Sequence, residues 1–136
     1  MLDKLFQSTT IPVLEQVVNF SQARHTVLAG NIANFDTPGY RTRDLSPEAF
    51  QQRLQTALEE RDRSRTAISP GELSGGHDPL ANAAGSIEGI LYHDDNNRSL
   101  EHQVAAISEN QIQHNLALTI LTSQFRLLQA AINERP

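Results

Sequence analysis

Apolar residues recur at alternating steps of three and four near both ends of this chain, and the rhythm lapses in the middle. Ile11, Leu14, Val18, Ser21, His25, Leu28 and Ile32 form the first series, five of its seven members apolar. That is the period of a helix with a coiled-coil-like seam, predicted over 11–34. Ser8, Thr9 and Thr10 offer N-cap oxygens, and Pro12 is compatible with a first helical turn. Leu2, Leu5 and Phe6 ahead of it add a short apolar turn or wait for a partner to cover them.

The second series is longer. Leu100, Val104, Ile107, Gln111, His114, Leu118, Leu121, Phe125, Leu128 and Ile132 keep the same stepping, eight of ten apolar. No glycine or proline falls between Ser99 and Arg135, so a helix is predicted over 99–134. At 1.5 Å per residue it is about 50 Å long. Ser99 or Asn97 can cap it, and Glu101 in its first turn suits the helix dipole.

Between the two, Ser46-Pro47-Glu48 opens a shorter helix over 46–60, capped by Ser46. Residues 61–98 are rich in Gly, Pro, Ser and charge and read as a flexible loop, with Ile87–Tyr92 as one short strand or docking segment. The expected fold is mainly all-α: an antiparallel coiled-coil-like pair of N- and C-terminal helices, a short middle helix and a flexible loop region.

Pairing the two stripes antiparallel so that their polar interruptions meet sets His25 beside Gln111, and Ser21 near His114 and Asn115. A polar layer in an apolar seam fixes register at some cost in stability. The plainer alternative is two imperfect stripes with weak spots in any register. The C-terminal helix is also apolar off its seam, at Ile112, Leu116, Ile120 and Leu127. A helix apolar on most sides needs several neighbours, and a chain of 136 residues has few to offer, so other subunits are expected to supply them.

The stretch "GNIANFDTPGYRTRDL" ends the first helix. Asn34 suits a helix terminator, because asparagine tolerates the left-handed conformation and its side chain can bond nearby backbone. Thr37 precedes a proline and is steered to an extended conformation. Pro38-Gly39 fits the centre of a type II turn, with glycine at positive φ. Tyr40 then supplies a ring to bury and a hydroxyl to bond.

Composition narrows the function. The formal charge of -5 does not suit nucleic acid, which selects a basic face. The chain has no cysteine, hence no disulfide, thiolate nucleophile or cysteine–zinc site. Scarce aromatics and absent tryptophan do not suit a large compact core. No apolar run approaches a membrane-spanning length, so no direct membrane insertion is expected, and "MLDKLFQSTTIPV" lacks the pattern of a cleaved secretory signal. His77-Asp78 and His93-Asp94-Asp95 are too sparse for a four-ligand zinc site, and "DDNNRS" lacks the alternating ligands and glycine of an EF-hand loop. His102 reads as a surface residue, and Asn97-Arg98-Ser99 as a chance match to a glycosylation sequon. There is no nucleophile elbow and no phosphate-binding glycine loop. No catalytic, cofactor or metal site is expected, and no enzyme.

"NIANFDTPGY" resembles the Asn-x-x-Asn-x-x-Thr-Pro-Gly-Tyr signature of bacterial flagellar rod and hook proteins. "DDNNRSLEHQVAAISENQIQHNLALTILTSQFRLLQAAI" is similar to the C-terminal helix of the proximal rod members. Short length favours these over distal rod and hook members, which carry large inserted domains. The resemblance covers roughly Leu2–Leu45 and Asp94–Ile132 and is weak between them. It implies one rod-subunit domain, with Asn31, Asn34, Thr37, Pro38, Gly39 and Tyr40 in a turn motif, 35–45, joining the inner helix to the outer part. It implies terminal helices that pack into the axial tube of the basal body, spanning the periplasm and transmitting torque. It also implies export by the flagellar type III apparatus without a cleaved signal, and FlgC-like, FliE-like and identical subunits as partners. A soluble helical adaptor or export chaperone binding one partner helix is the alternative.

Overall fold

The computed structural model describes residues 10–66, 78–83, 91–93 and 99–133. Three helices dominate: α1 (Ile11–Ala33), α2 (Pro47–Thr66) and α3 (Leu100–Asn133). A 3-10 turn at Pro79–Asn82 and two short strands, β1 (Arg43–Leu45) and β2 (Leu91–His93), complete the described part. The fold is mainly all-α, with the two terminal helices packed on each other over their facing sides.

α1 starts beside Pro12, whose missing N–H falls where a helix has no acceptor for it. Thr10 precedes the helix, but its hydroxyl makes no capping bond; its carbonyl accepts from Leu14 N–H at 3.0 Å. The other candidate caps, Ser8 and Thr9, and the apolar Leu2, Leu5 and Phe6, lie outside the described residues, as does Asn97. α3 begins after Ser99, whose carbonyl accepts from His102 N–H at 3.0 Å and Gln103 N–H at 3.2 Å. Hydrogen bonds from its own backbone N–H and with the Ser99 side chain hold the Glu101 carboxyl below the usual glutamate range.

Ser46 caps α2 as expected: its hydroxyl accepts from Ala49 N–H at 3.2 Å and its carbonyl from Phe50 N–H at 3.1 Å. The helix then runs past residue 60 to Thr66, through the charged run expected to open the loop. Arg63 and Arg65 in its last turn complement the helix dipole, and i,i+4 bonds such as Gln55 to Glu59 support the exposed face. β1, which the apolar pattern did not suggest, pairs antiparallel with β2: Arg43 faces His93, Asp44 faces Tyr92 and Leu45 faces Leu91. Of the expected strand 87–92, only its last two residues fall among those described, and both are in β2.

Among the described residues, two small apolar clusters lie beside the α1–α3 seam. Phe20, Leu45 and Phe50 bind α1, β1 and α2, with the two phenylalanine rings stacked at 4.1 Å and 4°. Ala57, Leu80 and Ala83 fasten the 3-10 turn to α2, and Val13 of α1 packs on them. Asp78 caps that turn by accepting from Leu80 N–H at 3.0 Å.

Candidate functional site

The turn that ends α1 is closed by a ladder of bonds. Asn34 N–H donates to Gly30 O at 3.1 Å, Thr37 N–H to Asn34 O at 3.0 Å, and Tyr40 N–H to Thr37 O at 3.2 Å. The last spans Pro38-Gly39, and Gly39 has φ 77, the type II arrangement expected. Asn34 terminates the helix with its side chain, Nδ2 donating to Gly30 O at 2.8 Å. Its backbone is not left-handed as expected, having φ -106; the side-chain bond does the capping instead.

Asn31 is the centre of this junction and is 0 % exposed. Its Nδ2 donates to the Arg43 carbonyl and, at 3.0 Å, to Gln103 Oε1. Its Oδ1 accepts from Arg43 N–H at 3.0 Å and from the Tyr40 hydroxyl at 3.1 Å. An amide has two N–H donors and two acceptor lone pairs, and all four are used. One buried side chain thus ties α1 to the turn, to β1 and to α3. Seven residues up α1, Arg24 makes a two-pronged ion pair with Asp44 of β1, Nε–Oδ1 2.9 Å and Nη2–Oδ2 3.0 Å. Burial opposes the Arg24 charge, but the Asp44 bonds and charge outweigh it and raise its pKa. Neither Arg24 nor Gln103 stood out in the sequence. Both lie off the apolar stripes of the two helices, so the pattern gave no reason to single them out.

The two terminal helices meet in the register that matches their polar positions. Ser21 Oγ lies 2.8 Å from His114 Nδ1, and Asn110 Nδ2 donates to Ser21 O at 2.7 Å. His25 and Gln111 line one shallow polar cleft of about 230 Å³ with Ser21, Gln22, Asn110 and His114.

The face that α3 turns to α1 only partly overlaps the expected one. Its buried residues are Gln103, Ala106, Asn110 and Ala117, flanked by half-buried Ile107, His114, Leu121 and Leu128. Within the chain, Leu100, Val104, Gln111, Leu118, Phe125 and Ile132 are exposed rather than in the seam. The physical reason is closeness: alanines let the backbones approach, and amides reach across to backbone and side-chain partners that an aliphatic chain cannot satisfy. On α1, Ile11 and Leu28 of the expected stripe are buried, Leu14, Val18 and Ile32 are half-buried, and His25 is exposed.

Large apolar side chains therefore remain bare along α3. Ile112 is 68 % exposed, Leu127 62 %, Ile132 60 % and Leu116 59 %. At 100° per residue they fall on two flanks of the seam: Leu100, Val104, Leu118, Phe125 and Ile132 on one, Ile112, Leu116, Ile120 and Leu127 on the other. Among the described residues no three His, Asp or Glu side chains gather as metal ligands. His77, Asp94 and Asp95 lie outside those residues, and His93 and His102 are exposed. No described helix is long and apolar enough to cross a membrane.

No protein-family model matches the chain. Among curated proteins it is similar to the flagellar basal body rod protein FlgB of Yersinia enterocolitica, 25% identical over 98% of this chain and 99% of that protein. It is 26% identical to FlgB of Salmonella typhimurium over 93% of each. A segment of 35 residues, 26% of this chain and 28% of the relative, is 49% identical to FlgB of Aquifex aeolicus. The likeness to flagellar rod proteins carried by the two ends of the chain is thus a likeness to FlgB over nearly its whole length, and it is consistent with a member of the FlgB family.

Proposed function

We propose that the chain is a structural component of the bacterial flagellar basal-body rod, and more finely a subunit of its proximal part. In this reading it polymerises through α1 and α3 into the torque-transmitting axial tube, a structural and not an enzymatic role. The observation that carries it is the pair of bare apolar flanks on α3. Water-exposed aliphatic and aromatic side chains in this number call for partners. A lone partner helix, as for an adaptor or export chaperone, covers one flank. Two flanks on opposite sides of an occupied seam suit a helix with neighbours on both sides, as in a tube wall.

The similarity to FlgB supports the same reading. With it come FlgC-like and FliE-like subunits and further copies of this chain as neighbours, export through the flagellar type III apparatus without a cleaved signal, and a place in the rod where it crosses the periplasm. The test is deletion of the gene in its own bacterium, with swimming assayed and basal bodies imaged by electron microscopy. Loss of motility with rods missing or stopped at their base is expected. Normal swimming with complete rods overturns the proposal.

A further inference from the structure

The Asn31 amide has a consequence for how the chain orders. The same Nδ2 that donates to the Arg43 carbonyl donates to Gln103 Oε1 at 3.0 Å, so the amide plane is held from β1 and from α3 at once. Asn31 and Gln103 are both buried, so an amide N–H that loses Gln103 has no water to turn to. Swinging that amide to find another acceptor also pulls Oδ1 away from Arg43 N–H and the Tyr40 hydroxyl.

We infer that Gln103 is a positioning residue: through Asn31 it couples the seating of α3 on α1 to the closure of the turn and β1. The coupling is reciprocal, because each contact stabilises the other by the same free energy. Anything that covers the bare flanks of α3 and steadies that helix therefore steadies the outer part of the chain too. Arg24–Asp44 fastens β1 to α1 independently and makes no contact with this relay in the described hydrogen bonds. The inference concerns the single chain and holds whether or not it builds a rod.

Amide hydrogen exchange on the full-length protein tests it. Gln103→Met keeps the length and helix propensity but removes the acceptor. It is expected to speed exchange of the Arg43 amide by about tenfold, leaving the Leu54 amide inside α2 unchanged. Gln103→Glu restores an acceptor at the same atom and is expected to return Arg43 toward its original rate relative to Leu54. An Arg43 rate unmoved by Gln103→Met, an equal acceleration at Leu54, or no recovery in Gln103→Glu overturns the inference.

Discussion

Ser21 Oγ lies 2.8 Å from His114 Nδ1, and the Ser21 hydroxyl lies 2.9 Å from the Val18 carbonyl. A serine has one hydroxyl proton, and Val18 O can only accept. With the hydroxyl proton on Val18 O, the imidazole donates from Nδ1, and the pair works as a polar pin between α1 and α3. Asn110, bonded to the Ser21 carbonyl on the same turn, makes it a double pin. Ser21→Ala removes the acceptor and is expected to cost about 1 kcal/mol in urea unfolding. Ser21→Ala with His114→Leu is expected to recover that loss, since replacing both polar partners spares the desolvation of either.

Ala117→Leu and Leu116→Ala make a reversed pair. Ala117 is buried against α1, so enlarging it is expected to cost about 1–3 kcal/mol. Leu116 is mostly exposed, and trimming it is expected to leave thermal unfolding of the single chain within about 0.5 kcal/mol of the original. Equal effects of the two substitutions contradict the seam described here.

These two residues also show what the sequence made legible and what it did not. Helix periods, Ser46 as a cap and the Pro38-Gly39 turn were readable because each rests on local backbone geometry. The register was readable because polar interruptions on both stripes have to meet somewhere. The face of α3 was not. A periodic reading assigns the largest apolar side chains to the nearest partner, and in this chain Leu118 and Phe125 lie on the flank, partly exposed, while Ala106, Asn110 and Ala117 are buried at the centre of the seam. Nor did the pattern single out Arg24 and Asp44, since their pairing depends on β1 folding back along α1.

Gly39 is held at φ 77, and no heavy atom lies within 4 Å of the place its Cβ would occupy. Substitution there is strained by the backbone alone. Gly39→Val is expected to cost about 1–3 kcal/mol and Gly39→Asn distinctly less, because asparagine tolerates the left-handed region. Denaturant midpoints of the two variants measure the difference.

The Arg24–Asp44 pair is largely shielded from water, the side chains being 8 % and 17 % exposed. Asp44→Ala strands the guanidinium and is expected to cost about 3 kcal/mol. Salt screens exposed charges far more than shielded ones, so the loss is expected to change little between low and high ionic strength. A cost that vanishes in salt places the pair at the surface.

The most direct test of the central claim uses Leu118, which lies at the edge of the intrachain seam and is 39 % exposed. A charge there keeps access to water in a solitary chain but is far more expensive to bury fully against a neighbour. The purified Leu118→Asp protein is expected to match the parent in circular dichroism, with a thermal midpoint lowered by no more than a few degrees. Supplied to a bacterium lacking its own copy of the gene, it is expected to leave the cells non-swimming and their basal bodies without complete rods. Cells that swim on full-length rods built with Leu118→Asp contradict the account.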